Sequence, residues 1–147
     1  MIDTSKGFAL QRTLAVPPEK IWAAWTEPDA VAQWWHPGGT STPREEVHID
    51  ARVGGSYGYT MVNNAAGKRV VTAGVYRELT PFERLVFTRG EPHSDPDETP
   101  VVTLTLQQIA EGTSLTFDLR GVGGAPGDGF FYDGWRETLD SLADYLA

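Results

Sequence analysis

The stretch DGFFYDGWRETLDSLADYLA, residues 128–147, decides the fold of this chain. Its apolar residues recur at steps of three and four, which draws one stripe along an amphipathic helix of about four turns. That stripe consists of Phe131, Trp135, Leu139, Leu142 and Leu146. Such a helix must bury its stripe, so the rest of the chain has to supply a large apolar surface.

Most of the remaining chain has the patterns of antiparallel strands. A first strand, GFALQRTLAV (7–16), alternates apolar with polar residues. Further strand-like runs are Arg44–Val53, Ser56–Asn63, Arg69–Leu79, Arg84–Arg89, Val101–Ile109 and Thr113–Arg120. Their short connections, rich in turn-forming residues, favour antiparallel hairpins, because parallel strands need long crossovers. Gly54-Gly55 and Gly58 are poor strand residues and predict that the sheet bends.

Two short helices are predicted between the first strand and the other strands. The stretch PPEKIWAAW (17–25) places prolines in the first turn of a helix over about residues 18–25. Thr26 and Asp29 match a capping box, so a second helix begins at Glu27 or Pro28 and ends at PGG, 37–39. The sequence therefore predicts an α+β domain, in which a curved antiparallel sheet of about seven strands wraps around a long C-terminal helix.

The composition narrows the functional classes. The 147 residues include five Trp, five Tyr and six Phe but no Cys, which excludes disulfides, thiolate metal sites and cysteine nucleophiles. A formal net charge of −8 repels phosphate backbones and anionic lipid headgroups, so neither nucleic acid nor a membrane is an expected partner. The N-terminal stretch lacks the pattern of a signal peptide, and we expect a cytoplasmic protein.

Four stretches, in order, resemble a known superfamily: VPPEKIWAAWTEPDAVAQWWHP (16–37), VGGSYGYTM (53–61), GVYRELTPFERLVFT (74–88) and GWRETLDSLADYL (134–146). They are similar to the SRPBCC superfamily, which has the START-like or birch-pollen-allergen-like helix-grip fold. The closer likeness is to the C-terminal domain of the activator of the heat-shock-protein-90 ATPase. The resemblance runs from Phe8 to Leu146 and implies a single START-like ligand-binding domain over residues 1–147.

The stretch WWHP, residues 34–37, has two interpretations. In the first, one tryptophan faces the core, the other is partly exposed, and the proline ends a helix. In the second, which the resemblance implies, Trp34, Trp35 and His36 form the rim of a cavity. Imidazole titrates near neutral pH, but no orienting partner that would make His36 a catalyst is evident in the sequence.

A helix laid into a bent sheet leaves room for an apolar cavity, the usual form of a small-molecule site. The candidate lining residues are Tyr57, Tyr59, Met61, Val75, Phe87, Phe117, Phe131, Trp135 and Leu139. Gly134 costs up to about 1 kcal/mol inside a helix, so either the backbone approaches the sheet closely there or space is left for a ligand.

Arg77 and Arg89 each follow apolar residues on one predicted strand face. Burial of an unpaired guanidinium is too costly. Each arginine is therefore expected at a sheet edge, in an ion pair with an acid such as Glu78 or Glu45, or pointing into a cavity as a polar anchor for an anionic ligand.

Three functional hypotheses follow from these features. The leading one is a cofactor-free domain that binds a small, mostly apolar or amphipathic molecule. The resemblance also implies a chaperone-associated interaction module, and a third possibility is a cyclase- or hydrolase-like enzyme that uses cavity Tyr, His or Arg residues. His36, His48 and His93 lack the spacing of metal ligands, so no metal is expected. The sequence leaves a homodimer open.

Overall fold

A computed structural model describes residues 2–147 and has an α+β helix-grip architecture, as the sequence predicts. The strands are β1 (Asp3–Leu14), β2 (Thr40–Ser41), β3 (His48–Ile49), β4 (Ser56–Asn63), β5 (Arg69–Thr80), β6 (Arg84–Thr88), β7 (Val101–Ile109) and β8 (Gly112–Gly121). The helices are α1 (Pro18–Thr26), α2 (Pro28–Trp34) and α3 (Phe131–Leu146), and two short 3₁₀ turns lie at Arg44–Glu46 and Pro96–Glu98.

The strands form one curved sheet in which every pairing is antiparallel. Its order is β1-β8-β7-β6-β5-β4-β2, and β3 pairs with β4 beside β2. The alternation predicted for the first strand is confirmed, since Phe8, Leu10 and Leu14 are buried between exposed neighbours. These side chains share the concave face of the sheet with Leu115 and Phe117 of β8, to which β1 pairs.

The helix α3 lies on this concave face, and its predicted apolar stripe is confirmed. Trp135, Leu139 and Leu142 are buried together with Thr138. The Trp135 ring packs on Phe117 of β8, with 4.4 Å between the ring centroids. The sheet thus supplies the apolar surface that the stripe requires, and α3 holds the two short helices against the same core.

The predicted strand Arg44–Val53 is wrong. Residues Arg44–Glu46 form a 3₁₀ turn, and only His48–Ile49 pair with β4. Two charged side chains of this segment form ion pairs at the surface, Arg44 with Asp29 and Glu46 with Arg69. These surface ion pairs connect the segment to α2 and to the start of β5, so it passes the sheet edge without extending it.

The second helix begins at Pro28, as predicted, but the predicted capping box is wrong. Thr26 is the last residue of α1, and its hydroxyl donates to the Trp22 carbonyl oxygen at 2.8 Å. A threonine hydroxyl bonded to the carbonyl four residues earlier is satisfied inside its own helix and is not available as a cap.

The strand β5 changes partners in its middle. Its residues up to Val75 pair with β4, and its residues from Tyr76 onward pair with β6, while Ala73 also exchanges two backbone hydrogen bonds with Gly90, just beyond β6. At the change, the Thr88 hydroxyl accepts a hydrogen bond from the Val75 N–H at 2.9 Å, in place of a backbone carbonyl. Gly74 is required here, because a Cβ at this position would overlap the Thr88 carbonyl oxygen. We call this point, formed by Gly74, Val75 and Thr88, the Thr88 junction.

The predicted bend at Gly54-Gly55 is found, but Gly58 has a different role. Gly54 adopts a φ of 82°, in a region that favours glycine, where the chain turns into β4. Gly58 lies within regular β4, and a Cβ there would come 2.7 Å from Cε1 of His48. Gly58 therefore makes room for the imidazole of the neighbouring short strand.

Candidate functional site

A cavity of about 530 Å³ lies between the first half of α3 and the curved sheet. Its walls come from the residues after α2, from β4 and β5, from the residues after β6, from the end of β8, and from the start of α3. The lining residues are Trp35, Pro37, Tyr59, Met61, Val70, Val71, Thr72, Arg89, Gly90, Glu91, Pro100, Leu119, Val122, Phe130, Phe131, Gly134, Trp135 and Thr138. Most of these are apolar, as in small-molecule sites.

Both tryptophans of WWHP are buried, so the expectation that one is partly exposed is wrong. Trp34 is 0% exposed, and its Nε1 donates to the Ala24 carbonyl oxygen at 2.8 Å. Trp35 is 3% exposed and stacks on Trp34 with 5.5 Å between ring centroids. Both rings also pack edge-on against Trp25 of α1, which shields them from solvent. Only Trp35 reaches the cavity wall.

His36 lies beside the cavity but does not line it. Its Nδ1 is 3.1 Å from the Thr42 hydroxyl oxygen, and that hydroxyl donates to the Trp35 carbonyl oxygen at 3.0 Å. Since the hydroxyl has one proton, Nδ1–H of His36 is the donor in the first contact. Partial burial lowers the pKa of His36 below its usual value, so the ring is neutral at pH 7.

Tyr57 and Tyr59 share a strand face but not an environment. The Tyr57 hydroxyl donates to the Thr88 carbonyl oxygen at 2.6 Å, and its ring contributes with Val75 to a separate, smaller cavity of about 290 Å³. Tyr59 lines the main cavity, and its buried hydroxyl oxygen has no hydrogen-bond partner among residues 2–147. Burial raises the pKa of both hydroxyls, so both are protonated at neutral pH.

Arg77 and Arg89 have opposite orientations. Arg77 directly follows the buried Tyr76, so strand alternation turns it to solvent, where it pairs with Asp97 at 3.1 Å. A bulge at Arg77 then sets two β5 residues against one β6 residue. Arg89, directly after β6, keeps the face of the buried Leu85 and Phe87 and lines the cavity. Its guanidinium carbon lies 5.3 Å from the centroid of the Trp135 ring.

The other candidate lining residues fall into two groups. Met61, Phe131 and Trp135 line the cavity. Phe87, Phe117 and Leu139 are fully buried in the core behind it; the Trp35 ring packs on Phe87, and the Trp135 ring packs on Phe117. Gly134 lines the cavity, and a Cβ there would meet nothing within 4 Å. The sequence allowed either a close approach of the helix backbone to the sheet at Gly134 or open space beside it, and the structure has open space.

Several lining residues were not anticipated from the sequence. They are Pro37, Val70, Val71, Thr72, Gly90, Glu91, Pro100, Leu119, Val122, Phe130 and Thr138. Val70 and Val71 are neighbours whose side chains point to opposite faces of one strand, so strand alternation does not predict that both residues line the cavity. Thr138 could have been found, since it lies one turn after Gly134 on the same helix face.

The polar side chains of the cavity wall are Tyr59, Thr72, Arg89, Glu91 and Thr138. The wall contains no histidine and no hydroxyl–base pair of the kind that activates a nucleophile. Within residues 2–147, no group of three or more His, Asp or Glu side chains is arranged to hold a metal ion. Across the same residues, no helix combines the length and apolarity needed to cross a bilayer.

The sequence matches the family model described as "Activator of Hsp90 ATPase homolog 1-like protein" over residues 15–147. No curated protein matches it significantly. A crystal structure of a Chromobacterium violaceum protein is 31% identical, with a TM-score of 0.83 over 96% of this chain and 97% of that chain. A Nitrosomonas europaea protein is 26% identical, with a TM-score of 0.80 over 99% and 96% of the respective chains.

A third similar structure is that of an AHSA1 protein from Silicibacter pomeroyi. It is 28% identical, with a TM-score of 0.79 over 95% of this chain and 96% of that chain. These likenesses extend over almost the whole length of each chain and agree with the family match. The chain therefore belongs to the family of activator of Hsp90 ATPase homolog 1-like proteins, within the SRPBCC helix-grip superfamily.

Proposed function

We propose that this protein binds a small, mostly apolar molecule in the cavity between α3 and the curved sheet. The observation that carries the proposal is the open space beside Gly134, where the helix lacks a side chain at the cavity wall. Glycine inside a helix costs about 1 kcal/mol relative to alanine. Gly134 therefore makes α3 less stable than an alanine would, and it leaves the interior open at this point. The cavity volume of about 530 Å³ lies within the range of small-molecule sites.

The test fills the cavity by mutation. In Gly134→Leu, the new side chain occupies the cavity while helix propensity improves, so the variant should fold at least as stably as wild type. We expect wild type to enhance the fluorescence of N-phenyl-1-naphthylamine, a neutral apolar probe, and Gly134→Leu to lose most of this enhancement. Glu137→Leu is the matched control, because it adds the same side chain at an exposed position of α3. Unchanged probe binding in Gly134→Leu would contradict the proposal.

A co-purifying molecule would identify the ligand directly. Mass spectrometry of the protein under native conditions should detect a mass in excess of the chain, and this excess should be absent from Gly134→Leu. The comparison between the two variants separates a cavity ligand from one bound at the surface.

The family match supports a second candidate function, in which the protein acts on a chaperone ATPase. The family is described as similar to the activator of the Hsp90 ATPase, and the match covers residues 15–147. Adding the protein to an Hsp90-family ATPase should then raise the rate of ATP hydrolysis, and Gly134→Leu should raise it equally, since this role does not use the cavity. An unchanged rate would argue against this candidate.

A further inference from the structure

We infer that the ligand is an anionic amphiphile whose carboxylate binds at Arg89. This inference rests on the proposed function, because it assigns the chemistry of the same cavity. It begins from the buried polar atoms that lack partners. Among residues 2–147, these atoms are Trp25 Nε1, Trp35 Nε1, Tyr59 Oη and Arg89 Nε. Three of the four belong to residues that line the cavity.

These three groups are all hydrogen-bond donors. The indole and guanidinium N–H groups can only donate, and the Tyr59 hydroxyl retains its proton because burial raises its pKa. Arg89 and Thr72 lie close enough to the Tyr59 hydroxyl to lower its pKa in part, but neither completes a hydrogen bond of good geometry with it. Buried donors that no acceptor among residues 2–147 satisfies favour a ligand that brings acceptors.

The charge balance at Arg89 also favours an anion. The ion pairs that arginines form in the described chain join side chains at the surface. Arg89 differs from those arginines, because no acid lies within ion-pairing distance of it among residues 2–147. Glu91 lines the same cavity but is exposed and does not pair with Arg89. The guanidinium lies over the face of Trp135, which orients the cation without neutralising it.

A carboxylate is the anion that fits this arrangement. Arginine binds carboxylates and phosphates through paired hydrogen bonds, and the neighbouring Tyr59 hydroxyl can donate a further one. Most of the remaining wall is apolar, with Met61, Leu119 and Phe131 around the open space. A single charged group on an aliphatic or aromatic body satisfies both parts of the wall. A phosphate monoester, which carries a second negative charge near neutral pH, would leave charge unpaired, since Arg89 is the one cation among the lining residues that the structure describes.

The test compares decanoate with 1-decanol, which have the same chain but differ in head-group charge. Binding is followed by calorimetry and by intrinsic tryptophan fluorescence, to which Trp35 and Trp135 of the cavity wall contribute. We expect wild type to bind decanoate at least about tenfold more tightly than decanol, since only the carboxylate can form charge-assisted hydrogen bonds with Arg89. Arg89→Met should remove this preference and leave decanol binding unchanged, and Tyr59→Phe should weaken decanoate binding by a smaller factor.

Arg77→Met is the matched control, because Arg77 is an exposed arginine on the adjacent strand and lies outside the cavity. It should leave both affinities unchanged. Arg89→Met should fold as stably as wild type, since it replaces an unpaired cation with an apolar side chain of similar length. Equal binding of decanoate and decanol by wild type, with no effect of Arg89→Met, would overturn the carboxylate assignment but leave apolar binding intact. Binding of neither would overturn the proposed function as well.

Discussion

His36 illustrates how a residue that resembles a catalyst can have a structural role. Its Nδ1–H donates to the Thr42 hydroxyl, which in turn donates to the Trp35 carbonyl oxygen. This chain of hydrogen bonds holds the backbone after α2, at the point where Trp35 turns from the core towards the cavity. The imidazole thus positions the chain next to the cavity without facing it.

The lowered pKa of His36 gives a testable pH dependence. Its pKa in the folded protein lies below the unfolded value of about 6.5, so the unfolded chain binds the proton more readily. The stability that depends on neutral His36 is therefore complete above about pH 6.5 and is lost as pH falls towards the folded pKa. Melting temperatures measured from pH 7.5 to pH 5 should fall less steeply for His36→Gln than for wild type. Equal slopes would contradict this role.

At the scale of elements, the start of α3 is held by a side chain outside the helix, which the apolar pattern of its sequence does not reveal. Asp128 lies before the helix, and its carboxylate accepts hydrogen bonds from the backbone N–H groups of Phe130, Tyr132 and Asp133 at 2.9–3.2 Å. These bonds, chiefly the one from Phe130, lower the pKa of Asp128. The same helix start carries Phe130 and Phe131 into the cavity wall, so Asp128 orders one side of the cavity.

Asp128→Ala should therefore lower the melting temperature, because several backbone donors at the start of α3 lose their acceptor. Asp144→Ala is the matched control. It removes an exposed acid near the end of the same helix, where a negative charge is unfavourable to the helix dipole, and should leave the melting temperature unchanged or raise it. Circular dichroism would measure both. An equal effect of the two substitutions would indicate that the Asp128 hydrogen bonds contribute nothing specific.

The periodicity of apolar residues predicts the long helices and strands well, but it fails where a bulge within a strand determines which way a side chain points. The stripe of α3 and the alternation of β1 each extend over many residues, so one deviation does not hide them. The bulge at Arg77 adds one residue to β5 and turns the following side chains to the other face, which the pattern of β5 does not signal. Arg77 and Arg89 were thus equivalent in the sequence, although only Arg89 lines the cavity.

The candidate site was harder to predict than the fold for a related reason. Strand alternation separates an inner from an outer face, but it does not distinguish a buried core position from a cavity wall on that same inner face. Phe87 and Tyr59 both point inward, yet only Tyr59 reaches the open space. That distinction depends on which position of α3 lacks a side chain, and the one sequence signal for it was Gly134.

At the scale of the whole molecule, the aromatic rings join the helices to the sheet. Trp35 of the segment after α2 contacts Trp25, Tyr57, Tyr59, Phe87 and Trp135, with centroid separations of 5.0–6.2 Å. One ring thereby connects α1, β4, β6 and α3. Since no layer of the fold has a core of its own, the parts of the molecule cannot lose their packing independently.

Unfolding should accordingly be a single cooperative transition. In urea, tryptophan fluorescence reports the aromatic contacts and far-ultraviolet circular dichroism reports the sheet and helices. The two curves should coincide, with the same midpoint and slope. A fluorescence transition at lower urea would contradict the prediction, since it would show that the aromatic contacts can be lost while the sheet persists.

The Thr88 junction makes the width of the cavity depend on the angle between two parts of the sheet. Tyr59, Met61 and Val70 lie on the β4–β5 side of the junction, whereas Leu119 belongs to the β8 side. A small change of angle at Thr88 would move these walls apart without changing any side chain of the cavity wall. Substitutions at the junction can therefore change the size of the open space during evolution, while the side chains that line it stay the same.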